Sequence, residues 1–202
     1  MNYRHGFHAG NHADVLKHLV LVALLDALKR KDAPFLVLDT HAGRGRYDLS
    51  GEQAARTGEA AGGIAKLEAA APAGPPPLRR YLDTVAEARE LEPASYPGSP
   101  LLVAHALRND DRLHACELQP EEAAALKAVL AGDPRCHVHA RDGYGAIKAL
   151  LPPRDGERKL GRALVLVDPP YEAQDEEYPR ILAALGEGLA RFPTGLYAVW
   201  YP

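Results

Sequence analysis

The chain has 202 residues, of which 47% are apolar and 25% are charged, and its net charge at pH 7 is −3. This length suits one domain, or one domain with an insertion, and the composition excludes an intrinsically disordered chain. A protein that is basic over its whole surface is also excluded, because 27 acidic residues outnumber 24 basic ones. Two cysteines are too few for a disulfide framework, and no apolar run is long enough to span a membrane, so we expect a cytoplasmic protein.

The beginning of the chain predicts a helix followed by a buried strand. Apolar residues recur at helical spacing over residues 14–31, and basic residues close the segment, as is favourable at a helix carboxyl terminus. A short apolar run at residues 34–39 then enters a glycine turn at residues 40–45. This order is typical of a buried strand that leads into a ligand-binding loop.

The next segment, residues 47–97, carries no strand pattern. Helical patterns at residues 63–70 and 78–91 are separated by a proline-rich stretch, so we predict a helical insertion after the first strand. Its basic side chains either face a phosphate backbone or lie on a solvated helix surface. These are Arg56, Lys66, Arg79 and Arg80.

After the insertion the pattern of a strand followed by a polar turn returns three times. The predicted strands cover residues 113–117, 136–140 and 163–168, and helices are predicted after the first two. Alternating strands and helices predict a parallel sheet with both faces covered, which binds ligands at the carboxyl ends of its strands. A final apolar run at residues 194–202 predicts one more strand, and because no polar tail follows it we expect a carboxyl-terminally truncated chain.

The residues Asp168, Pro169, Pro170 and Tyr171 follow the third of these predicted strands. An amino group on a purine is a poor nucleophile because its lone pair is delocalised into the ring. The Asp168 carboxylate and the Pro169 carbonyl can each accept a hydrogen of such an amine, and the Tyr171 ring offers a stacking surface. The motif therefore predicts methylation of a nucleobase amine, although Asp-Pro is also common where a strand ends in a turn.

Polar residues also follow the other predicted strands. The glycine turn at residues 40–45 lacks the full glycine pattern of a dinucleotide site, which favours a cofactor made of methionine and adenosine. Glu117 suits an acceptor for ribose hydroxyls, and Asp142 suits an acceptor for an adenine amine. Either acid alone is commonly a surface residue, so this interpretation depends on the order of all the strand ends.

The amino terminus is rich in histidine. His8 and His12 stand four residues apart and raise the possibility of a metal site, but neighbouring glycines interrupt a helix there and no cysteine or glutamate completes a ligand set. Tyr3, His5 and Lys17 instead offer stacking and positive charge to a nucleotide. We expect this segment to close over the active site; a solvated terminus is the alternative.

Taken together, these motifs closely resemble those of the RlmJ family, the bacterial large-subunit ribosomal RNA adenine N6-methyltransferases. The matching segments are residues 3–18, 38–47, 56–59, 96–100, 168–172 and 194–202. The resemblance implies an α/β fold, the Rossmann-like sheet of class I S-adenosylmethionine-dependent methyltransferases, with an inserted helical subdomain. It also implies methyl transfer to N6 of an adenine in 23S ribosomal RNA, as in the enzymes specific for adenine 2030. Family members continue beyond the position of Pro202, which again suggests truncation.

The resemblance divides the chain into four parts and assigns roles to single residues. The parts are an amino-terminal lid and helix (1–33), the first strand and cofactor loop (34–46), the helical insertion (47–97) and the rest of the core (98–202). The implied catalytic residues are Asp168, Pro169, Tyr171 and Lys17. The implied cofactor contacts are His18, His41, Ser99, Glu117, Asp142, Gly143 and Asp168. The implied RNA contacts are Tyr3, His5 and Tyr171.

We expect S-adenosylmethionine as the cofactor, 23S ribosomal RNA as the partner, and a monomer that uses neither a metal ion nor a membrane. Two other functions remain open. A DNA adenine-N6 or cytosine-N4 methyltransferase uses the same chemistry at Asp168, although the amino-terminal motif argues against it. A non-catalytic RNA-binding module with a vestigial cofactor pocket is the second, and it predicts the loss of Asp168 or of one acid at a strand end.

Overall fold

A computed structural model describes residues 5–70, 74–171 and 174–201. Tyr3, an expected RNA contact, lies outside these residues. The strands are β1 (Leu36–Asp39), β2 (Arg46–Asp48), β3 (Ser95–Pro97), β4 (Arg112–Glu117), β5 (Cys136–Ala140), β6 (Arg154–Asp155), β7 (Arg158–Lys159), β8 (Ala163–Val167) and β9 (Leu196–Val199). The helices are α1 (His12–Lys29), α2 (Glu52–Thr57), α3 (Glu59–Gly62), α4 (Ile64–Ala69), α5 (Pro76–Leu91), α6 (Ser99–Ala106), α7 (Pro120–Val129), α8 (Gly143–Leu150) and α9 (Gln174–Arg191).

The described residues form two compact units. The first, called the sheet unit, contains Lys31–Arg44 and Leu107–Pro202. The second, called the helical unit, contains Arg4–Arg30 and Gly45–Ala106. The helical unit therefore combines α1 with the segment that follows β1.

The described part of the sheet unit contains a five-stranded parallel sheet in the order β5-β4-β1-β8-β9. In the centre, Val37 pairs with Leu113 of β4 on one side and Leu164 of β8 on the other. Successive residues of a strand point to opposite faces, and every residue of β1 is fully buried, so both faces of the central strand are covered. The predicted parallel sheet and Rossmann-like α/β class are confirmed.

Strand order reverses at β1, because the chain adds β4 and β5 on one side and later adds β8 and β9 on the other. Such a switch point leaves a crevice at the carboxyl ends of the strands, where open α/β sheets bind ligands. The core on one face joins β1 to two helices, with Leu38 packed in the same cluster as Ile147 of α8 and Ile181 of α9.

Among the described residues of the helical unit, α1 packs against α5 and α6. Asn11 caps α1 by accepting a hydrogen bond from the Asp14 amide (2.9 Å), and Leu21 and Leu25 lie on the buried face of the helix. The helical patterns predicted at residues 63–70 and 78–91 are confirmed as α4 and α5. None of the described helices combines the length and apolar character needed to cross a membrane.

The expectation that residues 47–97 contain no strand is wrong. Strands β2 and β3 pair antiparallel in the helical unit, with Tyr47 opposite Tyr96. Both tyrosine side chains are buried, and three-residue strands are too short to produce a readable alternation of apolar and polar residues. Both cysteines are free thiols, of which Cys116 is buried and Cys136 is partly buried. Burial raises the pKa of each thiol to about 12, so both stay protonated.

Candidate active site

The loop after β1 is held across the carboxyl ends of both neighbouring strands. Thr40 donates two hydrogen bonds to the Leu166 carbonyl of β8, one from its amide (3.0 Å) and one from its hydroxyl (2.9 Å). The Ala42 amide donates to the Cys116 carbonyl of β4 (2.9 Å). Gly43 follows in the left-handed conformation (φ +62°), which favours glycine. The glycine turn predicted from the sequence is therefore tied to three strands.

Glu117 ends β4 beside this turn. One carboxylate oxygen accepts the Gly43 amide (3.0 Å) and the other accepts the Gln119 amide (2.7 Å). Burial raises the pKa of Glu117, while these two backbone hydrogen bonds oppose the shift. Each carboxylate oxygen keeps a further acceptor lone pair, so the group can still bind hydroxyls.

Asp142 and Gly143 form the start of α8, after β5. The Asp142 side chain caps the helix by accepting the Gly145 amide (2.7 Å), and its other oxygen lies 3.6 Å from a guanidinium nitrogen of Arg180. At Gly143 an added Cβ would lie only 1.9 Å from the Thr40 carbonyl oxygen. Glycine is thus required for the close approach between α8 and the loop after β1.

His41 is a neutral side chain at this edge of the sheet. Its Nδ1 lies 2.8 Å from the Thr40 hydroxyl oxygen. Because that hydroxyl donates to Leu166, Nδ1 carries the proton and donates to Thr40, which leaves Nε2 as an acceptor. Burial lowers the pKa of His41 to about 4, although the carboxylates of Asp168, Glu177 and Asp142 act in the opposite direction.

The Asp-Pro-Pro-Tyr motif follows β8 at the same edge. Pro169 is buried, and Asp168 and Tyr171 are half-buried. The Tyr171 hydroxyl donates to the Trp200 carbonyl, and the Trp200 amide donates to the Val167 carbonyl (3.0 Å). Burial, followed by the nearby Asp168 charge, raises the pKa of Tyr171 to about 12. The motif is therefore anchored to the chain after β9 by a neutral phenol.

A polar cluster that the sequence did not predict lies next to His41. The Tyr144 hydroxyl donates to Glu177 (2.6 Å), and Arg180 pairs with the other Glu177 oxygen (2.9 Å) while its guanidinium lies 4.6 Å from the centre of the Tyr144 ring. The edge of this ring contacts His41, with ring centres 4.9 Å apart. The spacing of Glu177 and Arg180, three residues apart, is a signal in the sequence for an ion pair on one helix face.

In the helical unit, the predicted RNA contact His5 and the predicted catalytic residue Lys17 share one buried carboxylate. His5 Nε2 lies 2.9 Å from one Asp14 oxygen, and Lys17 Nζ lies 2.8 Å from the other. Burial disfavours a charged Asp14, but electrostatic interactions with His5, Lys17 and His18 lower the pKa of Asp14 well below its ordinary value. Asp14 is therefore ionised, and Lys17 is held with only 8% of its surface exposed.

The two predicted cofactor contacts of the helical unit are buried. His18 Nδ1 lies 2.9 Å from the Tyr96 hydroxyl, which lies 2.9 Å from the Tyr81 hydroxyl. Ser99 begins α6. The other predicted cofactor contacts belong to the sheet unit, namely His41, Glu117, Asp142, Gly143 and Asp168.

The histidines that raised the possibility of a metal site have other surroundings. His8 Nδ1 lies 3.0 Å from a Glu59 oxygen, and the Asn11 amide nitrogen donates to the same oxygen (2.9 Å). Within the described ranges, no group of three or more histidine, cysteine or acidic side chains is arranged to hold a metal ion.

Comparison with known proteins gives consistent matches. A family model described as "Ribosomal RNA large subunit methyltransferase D, RlmJ" matches residues 32–202. Two curated relatives are each named "Ribosomal RNA large subunit methyltransferase J". The protein from Escherichia coli K12 is 45% identical and that from Haemophilus influenzae is 42% identical, and each match covers the whole chain and 70% of the relative. A crystal structure of a Legionella pneumophila protein, 37% identical, matches with a TM-score of 0.85 over 96% of this chain and 70% of that one. The resemblance found in the sequence is thereby confirmed, and the chain belongs to the RlmJ family of ribosomal RNA large subunit methyltransferases.

Proposed function

We propose that the chain transfers a methyl group from S-adenosylmethionine to N6 of an adenine in 23S ribosomal RNA. The observation that carries the proposal is the set of groups at the carboxyl ends of β1, β4, β5 and β8 in the sheet unit. A neutral histidine, an acid, a capping carboxylate and the Asp-Pro-Pro-Tyr motif lie at the ends of these four strands in turn. The family membership supports the same reaction class, and the names of the relatives favour a large-subunit RNA substrate.

The acceptor groups of the sheet unit fit the polar parts of S-adenosylmethionine. Glu117 suits the ribose hydroxyls and Asp142 suits the adenine amine, while Nε2 of neutral His41 is an acceptor for the ammonium group. Gly143 leaves no side chain against Thr40. When bound, the cofactor supplies an electrophilic methyl group. The cofactor roles of His18 and Ser99 rest on the family resemblance.

The target amine is activated by acceptors. The Asp168 carboxylate and the Pro169 carbonyl each accept one N6 hydrogen, which draws the nitrogen lone pair out of conjugation with the ring. The Tyr171 ring provides a face for the adenine, and the phenol is kept from rotating by its hydrogen bond to Trp200. His5 and Tyr3 bind the RNA beside the target adenine, and Lys17 takes part in catalysis; both roles rest on the resemblance.

The decisive experiment is transfer of a labelled methyl group to deproteinised 23S ribosomal RNA, followed by nucleoside analysis. The expected product is N6-methyladenosine, with adenine 2030 as the expected position. A DNA duplex with the matching sequence is tested in parallel. Methylated DNA together with unmodified RNA would show a DNA methyltransferase instead. No product on either substrate, despite cofactor binding, would indicate a non-catalytic module.

We further propose that the protein is a cytoplasmic monomer without a metal ion. Gel filtration and metal analysis of the purified protein test the oligomeric state and the metal content.

A further inference from the structure

The segment before α1 is attached to the helical unit by several hydrogen bonds. It begins with a single 3₁₀ turn, His5–Phe7. The Thr57 hydroxyl donates to the Phe7 carbonyl (2.6 Å), and the Ile64 amide donates to the Gly10 carbonyl (2.8 Å). The described part of the segment therefore has a defined path along α2 and α4.

Asp14 connects this segment to the first turn of α1. Its Oδ2 binds the segment, where it lies 2.9 Å from His5 Nε2 and accepts the Gly10 amide (3.1 Å). Its Oδ1 binds the helix, where it lies 2.8 Å from Lys17 Nζ. His18 Nε2 lies 4.0 Å from the same Oδ1, so the next residue of α1 also faces this carboxylate.

We propose that Asp14 is a positioning residue for methyl transfer, which holds His5 and Lys17 in fixed positions through separate oxygens of one carboxylate. This inference rests on the proposed function, because the roles of His5 and Lys17 are part of that proposal. Asp14 itself acts through these two side chains. It is 3% exposed, and a buried ion pair is a poor way to gain stability, since apolar residues of similar size serve at least as well.

A carboxylate is required at this position because its two oxygens accept from different groups, Oδ2 from the segment and Oδ1 from Lys17. An asparagine at this position has one acceptor oxygen, which can serve either the segment or Lys17. Whichever side receives the amide group meets a donor where it needs an acceptor. Asp14→Asn therefore weakens the hold of residue 14 on either His5 and Gly10 or Lys17, and each loss lets a group move that the proposed reaction needs in place.

The activity test compares Asp14→Asn with Asp26→Asn. Asp26 lies on the same helix and forms an ion pair with Arg80 (2.9 Å), so it controls for the loss of one carboxylate from α1. Displacing reactive groups by about 1 Å typically lowers the rate by about 100-fold. We expect kcat to fall by that factor in Asp14→Asn, with KM for S-adenosylmethionine within about threefold of wild type. Asp26→Asn should retain the wild-type kcat. A kcat near wild type in folded Asp14→Asn would overturn the inference, as would an equal loss in Asp26→Asn.

A second measurement does not depend on methyl transfer, and it uses variants designed to avoid an unpaired buried ammonium group that could prevent folding. Lys17→Met removes the buried ammonium group, so Asp14→Ala can be added without leaving that group unpaired. We expect faster hydrogen exchange of the Gly10 amide in the double variant than in Lys17→Met, because the acceptor of that amide is gone. Equal exchange rates of the Gly10 amide in the two proteins would overturn the claim that Asp14 fixes the segment before α1. If wild-type protein methylates no RNA, the proposed function fails, while this comparison still decides whether Asp14 fixes the segment.

Discussion

Gly143→Ala tests the close approach between α8 and the loop after β1. An alanine Cβ would lie 1.9 Å from the Thr40 carbonyl oxygen, 2.7 Å from its carbonyl carbon and 2.9 Å from its Cβ. The first two atoms are backbone, so a rotamer change cannot relieve the contact, and the two segments must separate by roughly 1 Å. Overpacking of this kind costs about 1–3 kcal/mol. For a protein of this size, each kcal/mol lowers Tm by about 2–4 °C, so we expect a decrease between about 2 and 12 °C.

The same displacement moves Thr40 and His41, which weakens cofactor binding if the proposed site is correct. Loss of one ordinary hydrogen bond is worth about 1 kcal/mol, so the affinity for S-adenosylmethionine should fall by roughly fivefold or more. Thermal unfolding and titration calorimetry measure the two effects. Gly186→Ala is the control, because in the described part of the chain an added Cβ there meets nothing within 4 Å and alanine favours the helix. A Gly143→Ala protein with wild-type Tm and affinity would refute the packing argument.

Four further predictions concern single side chains. Asp168→Asn should lower methyl transfer by roughly 10²- to 10³-fold while cofactor affinity stays within a few fold; near-normal turnover would remove Asp168 from its proposed role. Glu117→Ala should weaken cofactor binding by roughly 1.5–3 kcal/mol in calorimetry, and an unchanged affinity would place the ribose elsewhere. Tyr3→Ala should lower methylation strongly with little change in Tm, whereas full activity would make Tyr3 part of an inert terminus. His114 is half-buried, and this burial lowers its pKa to about 4 from an ordinary value of 6.5, so the unfolded chain binds a proton that the folded chain does not. The free energy of unfolding should therefore fall as pH falls from 6.5 toward 4, and urea titrations of His114→Gln should show a weaker dependence; an equal slope would refute this cause.

The sheet could be predicted from the sequence because its buried strands are apolar and separated by turn residues. Strand β5 was predicted with the observed bounds, and Glu117 and Asp168 were expected at the strand ends where the structure places them. Parallel pairing brings such ends to one edge whatever the details of the helices, so this part of the candidate site depends on local pattern and topology alone.

Other features depend on tertiary packing and could not be predicted in this way. The hydrogen bond between Tyr144 and Glu177 requires α8 to lie against α9, and no periodic pattern specifies that pairing. Asp14 has one contact that the sequence predicts and one that it does not. Its spacing to Lys17 marks a helical ion pair in the sequence, but its contact with His5 exists only because the chain reverses direction before α1.

The central position of β1 has a consequence for the order of events during synthesis. Leu36 is made early, but its partners in the sheet are made much later: Arg112 follows the helical segments and strands β2 and β3, and Ala163 follows β7. During synthesis β1 is therefore an apolar strand with unpaired edges until these neighbouring strands have been made. Contacts between distant parts of a chain form slowly, and unpaired strands aggregate at high concentration. Solubility of the growing chain should thus depend on translation speed and on chaperones that cover Leu36–Asp39.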